Sequence, residues 1–273
     1  MASTSAAPAP AAQLEIPIFG PNGGVVAVQN GARRLELNRA GSYAVGGLTP
    51  TLDELAALID FLSAHSQPRV PIRIMIRPRG PPPPRGDNPD GQDFLYTPSE
   101  ITDMLASIRS FKDSGLLDAS RGDGFVFGAL LRGDNLLEID PEANKWLVRM
   151  GRPFKCVLHR AFDEVLSDSP QYETMDAVYD LVDCEFDGVL TSGGKRSVSE
   201  PGNVERLADV IRKLRGRAEV VVGGGVRSWN VHELRCAFLT EGLWFHSSCL
   251  FEELSCMRFD EREVRAVVEG LSS

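Results

Sequence analysis

The stretch PIRIMIRP, residues 71–78, alternates like a strand that is apolar on one face and charged on the other. Successive side chains of a strand point to opposite faces, so the three isoleucines share one face while Arg73, Met75 and Arg77 share the other. In an open sheet covered by helices, these guanidinium groups would lie under apolar side chains, which costs several kcal/mol for each unpaired ion. The alternation therefore favours a sheet that closes on itself and pairs its charges inside.

Other runs repeat this pattern of alternation. LEI at 14–16 and LEL at 35–37 place Glu15 and Glu36 between apolar neighbours, and FKCVLHR at 154–160 alternates in the same way. We predict that the apolar neighbours face the surrounding helices and that the two glutamates face the interior of the closed sheet.

Strand-like and helix-like segments alternate along the whole chain. The β-rich runs are 14–19, 33–38, 71–78, 123–130, 154–160, 187–193, 218–224 and 243–248. Helical spacing is found at 51–65, 98–116, 172–184, 203–216 and 230–242, with shorter helices predicted at 22–31 and 141–150. Eight strands alternating with helices predict an α/β fold, a (β/α)8 TIM barrel in a single domain over 14–273. An open doubly wound sheet is the alternative, because sequence alone does not show closure.

Composition restricts the class of protein. The 273 residues include 29 Lys and Arg against 38 Asp and Glu, and the formal net charge of -9 argues against nucleic-acid binding. No uncharged apolar run approaches the roughly 18 residues that span a bilayer, so we expect no membrane partner. The five cysteines are an odd number without C-x-x-C spacing, which predicts reduced thiols and a cytoplasmic protein.

Two segments are predicted to lie outside the regular elements. Residues 1–13 are rich in Ala, Pro and Ser without a signal or transit pattern, and we predict a disordered N-terminal tail. PPPPRGDNPDGQ at 81–92 is interpreted as a Pro-rich loop on the mouth side of the barrel. Its prolines favour a polyproline II segment that is either a spacer or an SH3-type ligand, so a partner-binding protein is a third, weaker hypothesis.

Polar side chains concentrate where the predicted strands end, and in a TIM barrel these ends form the active site. The carboxylates, imidazoles and guanidiniums there can do acid–base work. The alternative is that these charges form interior ion pairs that only stabilise the barrel. The predicted catalytic residues are Glu15, Glu36, Arg77, His159, Arg160 and Asp163.

Glycines and hydroxyls follow the later strands, in VVVGGGVRSWN, WFHSS and TSGG. Barrels bind phosphate or carboxylate groups at such loops, because glycine lets backbone N–H groups approach an oxyanion. The alternative is that the glycines only make tight turns. The predicted anion-binding residues are Arg79, Thr191, Ser192, Gly193, Gly223, Gly224, Gly225, His246 and Ser247.

Metal ligands are not defined by spacing in this chain. His159 and His246, with Glu15 or Glu36, could hold a divalent ion, but neither H-x-x-x-H nor C-x-x-C occurs with them. Soft ligands would come from Cys249 and Cys256 if the segment after the last strand folds back over the mouth. Buried structural cysteine is the alternative that we favour.

The motifs taken together resemble those of the copper homeostasis protein CutC family. They occur in order across nearly the whole chain after the tail. The matching pieces are LEI at 14–16, RLEL at 34–37, GGLTPT at 46–51, IMIRPRG at 74–80, DFLYTPSEITDM at 93–104, GFVFGAL at 124–130, HRAFDE at 159–164, VLTSGG at 189–194, VGGGVRSWN at 222–230 and FHSS at 245–248.

This resemblance implies a TIM barrel, a cytoplasmic location, a homo-oligomer and a role in copper homeostasis that includes Cu(I) binding. Members of the family commonly carry a cysteine just after the glutamate motif of each of the first two strands, and here those positions are Pro17 and Asn38. Neither offers a soft ligand for Cu(I). Two function hypotheses remain open: a copper-binding protein, or a TIM-barrel enzyme that performs acid–base chemistry on a small anionic metabolite, phosphorylated or carbonyl-bearing.

Overall fold

A closed barrel of eight parallel strands forms the centre of the molecule in the computed structural model. The structure describes residues 12–86, 88, 90–133, 136–168, 174–238, 242–253 and 256–272. Its strands are β1 (Gln13–Phe19), β2 (Arg34–Asn38), β3 (Ile72–Met75), β4 (Gly124–Phe127), β5 (Leu130–Arg132), β6 (Leu137–Ile139), β7 (Lys155–Leu158), β8 (Gly188–Thr191), β9 (Glu219–Val222), β10 (Trp244–His246), β11 (Leu250–Glu253) and β12 (Cys256–Phe259).

The barrel strands follow the order β1–β10–β9–β8–β7–β4–β3–β2, and β2 pairs with β1 to close the circle. At the junction of first and last barrel strands, Gln13 is opposite Trp244 and Glu15 is opposite His246. The predicted TIM barrel is therefore confirmed, and the open doubly wound sheet is excluded. Of the predicted tail, residues 1–11 lie outside the described part of the chain, and Gln13 already belongs to β1.

Helices surround the barrel. They are α1 (Asn22–Gln29), α2 (Leu52–Ala64), α3 (Pro98–Asp113), α4 (Pro141–Gly151), α5 (Ala161–Asp168), α6 (Thr174–Asp183), α7 (Asn203–Leu214), α8 (Val231–Phe238) and α9 (Glu261–Ser272). The α2 and α3 helices begin with capping boxes, in which Thr51 pairs with Glu54 and Thr97 with Glu100. Within the described ranges, none of these helices combines the length and the apolarity needed to cross a bilayer.

The structure differs from the predicted elements in three places. The predicted strand 123–130 ends at Phe127, and β5 then forms a separate hairpin with β6. Helix α5 follows β7 after only two residues, so its apolar spacing is hidden behind the strand pattern. The hairpin β11–β12 and helix α9 follow the last barrel strand, where no element was predicted.

The two faces of the barrel strands differ as the alternation predicts. Ile72, Ile74 and Ile76 are fully buried in the main core between sheet and helices. On the opposite face, Met75 joins Val126 and Val157 in a separate apolar cluster inside the barrel. The interior thus contains an apolar layer, and the buried charges lie in other layers.

Arg34, the first residue of β2, forms ion pairs with two carboxylates, those of Glu15 and Glu219. Its guanidinium, only 2% exposed, donates through Nε to a carboxylate oxygen of Glu15 and through Nη1 to both oxygens of Glu219, at 2.9 and 3.1 Å. The guanidinium also lies 3.8 Å from the centroid of the Trp244 ring. Three strands, β1, β2 and β9, are thereby connected through one side chain.

Substituting Arg34 tests whether this network stabilises the barrel. We expect Arg34→Met to lower the free energy of unfolding by about 3–5 kcal/mol, because it leaves Glu15 buried without its cation. The double variant Arg34→Met/Glu15→Gln should lose less, since the buried charge is removed with its partner. Urea unfolding measures both, with Arg33→Met at the exposed neighbouring arginine as control. Equal losses in the single and double variants would contradict this role.

Candidate active site

A cavity of about 580 Å³ opens at the carboxyl ends of the barrel strands. The residues that line it come from most of the strand-to-helix loops. They include Pro17, Glu36, Met75, Arg77, Pro81, Phe94, His159, Arg160, Arg196, Gly224, Gly225, Arg227, His246 and Ser248. Pro81, the first residue of the Pro-rich segment 81–92, lines the cavity, and residues 87 and 89 of that segment lie outside the described ranges.

Glu15 and His246 form a hydrogen-bonded pair beneath the cavity. His246 donates through Nδ1 to Glu15 Oε1 at 2.7 Å, while the other carboxylate oxygen accepts from Arg34. Burial alone would raise the pKa of Glu15, but the charge of Arg34 and the bond to His246 lower this pKa to about 2. Burial opposes protonation of His246, yet the bond to Glu15 and the charge of Glu36 raise its pKa. Glu15 thus orients the His246 ring through Nδ1, and this bond does not use Nε2.

Glu36 lies next to this pair and has an unused oxygen. It is 3% exposed, and its Oε1 accepts a hydrogen bond from Asn38 Nδ2 at 3.0 Å. Its buried Oε2 has no partner among the described residues. Burial raises the pKa of Glu36, and the nearby His246 opposes this increase. A buried carboxyl group with an unpaired oxygen and a raised pKa is suited to accept a proton and to return it.

Glu15, Glu36 and His246 also form the one cluster of possible metal ligands found in the described part of the chain. One ligand atom of each lies within 4.8 Å of the others. Both oxygens of Glu15, however, already accept hydrogen bonds from Arg34 and His246. The donors are oxygen and imidazole nitrogen, which suit borderline or hard ions better than Cu(I).

Among the described residues that line this cavity, none carries a thiol. Pro17 and Asn38 occupy the positions expected to carry cysteine, and Met75 supplies the only sulfur among the lining residues. Cys249 is fully buried and donates to Ser247 Oγ at 3.4 Å, and burial raises the pKa of its thiol to about 11. Cys256 begins β12, but its side chain lies outside what the structure describes.

His159, the second imidazole, lies on the other side of the mouth at the end of β7. Its Nδ1 accepts a hydrogen bond from the backbone N–H of Ala161 at 3.2 Å, and its buried Nε2 has no partner among the described residues. Burial, assisted by the charge of Arg77, lowers the pKa of His159 to about 3. His159 is therefore neutral at physiological pH. This state does not suit the proton-accepting role expected of it, because the lone pair on Nδ1 is already used.

Arg77 and Arg79 have separate positions. Arg77 lines the cavity, and its guanidinium binds Asp93 and, through Nη1, the carbonyl oxygens of Val45 at 2.5 Å and Gly47 at 2.7 Å. Arg77 thus fixes the loops after β2 and β3. Arg79 is absent from the lining and pairs with Glu100 at 2.5 Å, next to the capping box of α3. The predicted anion-binding role of Arg79 is not supported by this position.

The loops after β9 and β10 form the glycine-rich side of the mouth. Gly224 and Gly225 have φ values of +79° and +88°, and neither backbone N–H has an acceptor among the described residues. A Cβ on Gly224 would lie 2.8 Å from Ser192 Cβ and 3.1 Å from Arg160 Cζ. Arg227 approaches from the other side, with Nη2 donating to Ser248 Oγ at 3.2 Å. Arg160, Gly224, Gly225 and Arg227 therefore all line the same cavity.

Asp163 orients several side chains on this side of the mouth through hydrogen bonds. Its carboxylate accepts hydrogen bonds from Thr191 Oγ1 at 2.6 Å, Ser192 Oγ at 2.9 Å and Arg160 Nε at 2.8 Å. Burial raises the pKa of Asp163, and these donors oppose the increase. Asp163, Thr191 and Ser192 are absent from the cavity lining, so their position supports orientation of Arg160 rather than contact with a ligand.

Gly193, Gly223 and Ser247 were also predicted to bind an anion, and they make hydrogen bonds to neighbouring protein groups. Gly193 donates its N–H to Thr191 Oγ1 at 3.0 Å, and Gly223 donates its N–H to the Thr191 carbonyl at 2.9 Å. Ser247 donates through Oγ to the Val226 carbonyl at 2.8 Å. Their backbone and hydroxyl groups hold the two glycine loops together.

Sequence reasoning missed several residues of the site. Arg34 precedes the LEL motif and resembles a residue at the exposed start of a strand. Phe94 follows the Pro-rich segment, where no pattern indicated that an aromatic ring would reach the mouth. Arg227 lies in the quoted motif VVVGGGVRSWN, and its position directly after the glycines was the signal available for it.

Comparison with known proteins gives a consistent result. The model of the CutC family matches residues 12–248. A CutC family protein from Mesorhizobium japonicum is 33% identical over 222 residues, which cover 81% of this chain and 72% of that protein. The human copper homeostasis protein cutC homolog is 32% identical over 252 residues, covering 92% of this chain and 78% of the relative.

A solved structure agrees with these sequence matches. The crystal structure of a CutC protein from Streptococcus agalactiae superposes with a TM-score of 0.67 at 24% identity, covering 87% of this chain and 98% of that one. At this identity, the superposition supports the fold. The match to the family model and the identity to the relatives show that this chain belongs to the CutC family.

Proposed function

We propose that this protein is an enzyme that binds a small anionic metabolite in the mouth of the barrel and moves a proton on it. Glu36 and His246 carry the proton, and the loops after β9 and β10 hold the anionic group. The observation that carries this proposal is Glu36 Oε2, a buried carboxyl oxygen at the cavity that has no partner among the described residues.

An unsatisfied buried polar atom needs an explanation, because leaving one costs about 1–3 kcal/mol or more when the group is charged. Interior ion pairs explain Glu15, which is fully paired, but they do not explain Glu36. A polar ligand that enters the cavity would provide the missing partner. The raised pKa of Glu36 suits proton transfer on such a ligand.

The arginines that line the cavity favour a negatively charged ligand. Arg160, Arg196 and Arg227 line the cavity together with Gly224 and Gly225, whose N–H groups have no acceptor among the described residues. Free N–H groups beside guanidiniums bind phosphate or carboxylate oxygens. This favours an anion at the rim, with the rest of the molecule reaching towards Glu36.

Filling the space at Gly224 tests the anion site. We expect Gly224→Ala to weaken binding of methyl phosphate at least about tenfold, because the new methyl group occupies the space between Ser192 and Arg160. Gly202→Ala is the matched control: its φ is also +80°, but a Cβ there meets no atom within 4 Å. Isothermal titration calorimetry gives both affinities. Equal weakening in the two variants would refute an anion site at Gly224.

The pH dependence of anion binding provides a second test. The pKa of His246 is raised, so the ring is protonated below this value and loses its charge as the pH rises through it. Its Cβ would lie 3.3 Å from a Cβ on Gly223, which places the ring beside the glycine loop. We expect sulfate, which does not titrate in this range, to bind more weakly above the raised pKa. His246→Gln should remove this pH step, and a step that persists in the variant would show another group to be responsible.

Copper is the ligand that the relatives' names suggest, since the human and mouse relatives are named copper homeostasis protein cutC homologs. The residues of this cavity do not fit Cu(I), because Pro17 and Asn38 replace the expected thiols and Met75 offers a single thioether. A contribution to copper homeostasis would therefore depend on something other than a thiolate site in this mouth. The cytoplasmic location and the homo-oligomer implied by the family remain predictions.

Anaerobic Cu(I) titration against a competing chelator separates the two hypotheses. We expect no site tighter than micromolar in the wild-type chain, and no change in Glu36→Gln. A tight site that is lost in Glu36→Gln or Met75→Leu would contradict our proposal and restore the copper-binding function.

A further inference from the structure

The tautomer of His159 is fixed by the fold. A backbone N–H can only donate, so the bond from Ala161 to His159 Nδ1 places the lone pair of the neutral ring on Nδ1 and its proton on Nε2. Ala161 is the first residue of α5, and its N–H is one of the donors that a helix start leaves free. The start of the helix therefore determines that Nε2 is a hydrogen-bond donor.

This donor lacks an acceptor. His159 is 3% exposed, its Nε2 is buried without a partner in the described part of the chain, and the residue lines the cavity. The low pKa of about 3 keeps the ring from becoming an acid that ionises near neutrality. A neutral imidazole N–H on a residue that lines a cavity can donate to a hydrogen-bond acceptor such as an oxygen atom.

The ring is held rigidly in this position. Phe94 packs against it with ring centroids 4.6 Å apart and an interplanar angle of 49°. Gly128 approaches closely enough that a Cβ there would lie 3.1 Å from both Cε1 and Nδ1 of the ring. Phe94 has a φ of +65°, an unfavourable backbone conformation for an aromatic residue. Such strain is typical of residues that position a functional group.

Two unpaired polar atoms therefore flank one cavity. His159 follows β7 and Glu36 lies on β2, and β4 and β3 separate these strands around the barrel. One atom is a hydrogen-bond donor, and the other is an oxygen of a carboxyl group whose pKa is raised by burial. A molecule between them would meet an electrophilic N–H on one side and a base on the other.

We infer that the substrate of the proposed enzyme is an anion with an aldehyde or ketone group, whose carbonyl oxygen accepts from His159 Nε2 while Glu36 takes a proton from the adjacent carbon. This inference rests on the proposed function and specifies its substrate class. The C–H bond breaks, its electron pair forms the C=C bond of an enolate, and the negative charge moves to the carbonyl oxygen. On a substrate with a hydroxyl on that adjacent carbon, the hydroxyl proton moves to the enolate oxygen. The second oxygen then forms the new C=O bond, and the electron pair of the C=C bond takes the proton back from Glu36 at the former carbonyl carbon, so the product is the isomeric carbonyl compound and no further reactant is needed.

His159 is suited to this role because it is neutral. A hydrogen-bond donor that stabilises a developing oxyanion is most effective when it is fixed in advance in a site shielded from water. The ring meets this condition through Ala161, Phe94 and Gly128. Binding of the substrate's anionic group to the loops after β9 and β10 would keep its carbonyl oxygen next to His159 Nε2.

Calorimetry with two anions tests the inference. Phosphoglycolohydroxamate mimics an enolate attached to a phosphate, and methyl phosphate carries the phosphate alone. We expect the wild-type chain to bind the hydroxamate at least about tenfold more tightly, since a hydrogen bond to a charged group contributes about 1.5–3 kcal/mol. His159→Phe should lose this preference and keep its affinity for methyl phosphate. His159→Gln, which retains an N–H donor, should keep part of the preference and serves if the Phe variant does not fold.

The outcomes distinguish this inference from the function on which it rests. If the wild-type chain binds both anions equally, the carbonyl assignment is wrong and the anion site stands. If it binds neither, the proposed function fails and the inference fails with it. Nitrogen-15 NMR of the histidine rings gives an independent answer: a His159 that titrates between about pH 5 and 8, or that carries its proton on Nδ1, would overturn the inference.

Discussion

The buried ion pair between Glu15 and Arg34 is the interaction on which the rest of the site depends. A carboxylate inside a barrel needs a compensating cation, and Arg34 supplies it from the neighbouring strand while also binding Glu219. Because Glu15 stays ionised, it can hold His246 through Nδ1. The orientation of His246 and the electrostatic surroundings of Glu36 both follow from that single pairing.

The two imidazoles of the mouth are given opposite properties by their neighbours. His246 donates to a carboxylate and has a raised pKa, whereas His159 accepts from a backbone N–H and has a pKa of about 3. One ring can therefore carry a positive charge near neutral pH, and the other stays a neutral donor. Groups whose environments separate their pKa values in this way are typical of acid–base sites. A barrel stabilised only by interior ion pairs would not require the unpaired atoms of Glu36 and His159.

Much of the fold could be predicted, because the alternation of PIRIMIRP and LEL directly reflects which face of each strand is buried. The position of the site followed from the same reasoning, since strand ends meet at one mouth. The role of Arg79 was not predictable, because its side chain reaches Glu100 of a capping box twenty-one positions along the chain. The tautomer of His159 was equally hidden, because it depends on where α5 starts. The position of Phe94 depends on a positive φ that no local pattern encodes.

This chain belongs to the CutC family, but Pro17 and Asn38 offer no thiol. The parts that remain without the cysteines are the carboxylates, imidazoles and glycine loops, and these are the groups to which we assign proton transfer on an anion. The most direct test is a crystal structure of the wild-type chain with phosphoglycolate. Our account predicts the phosphate on the N–H groups of Gly224 and Gly225, with its carboxylate end accepting from His159 Nε2. Phosphoglycolate bound elsewhere, or a cavity in which Glu36 and His159 are paired with protein groups, would contradict it.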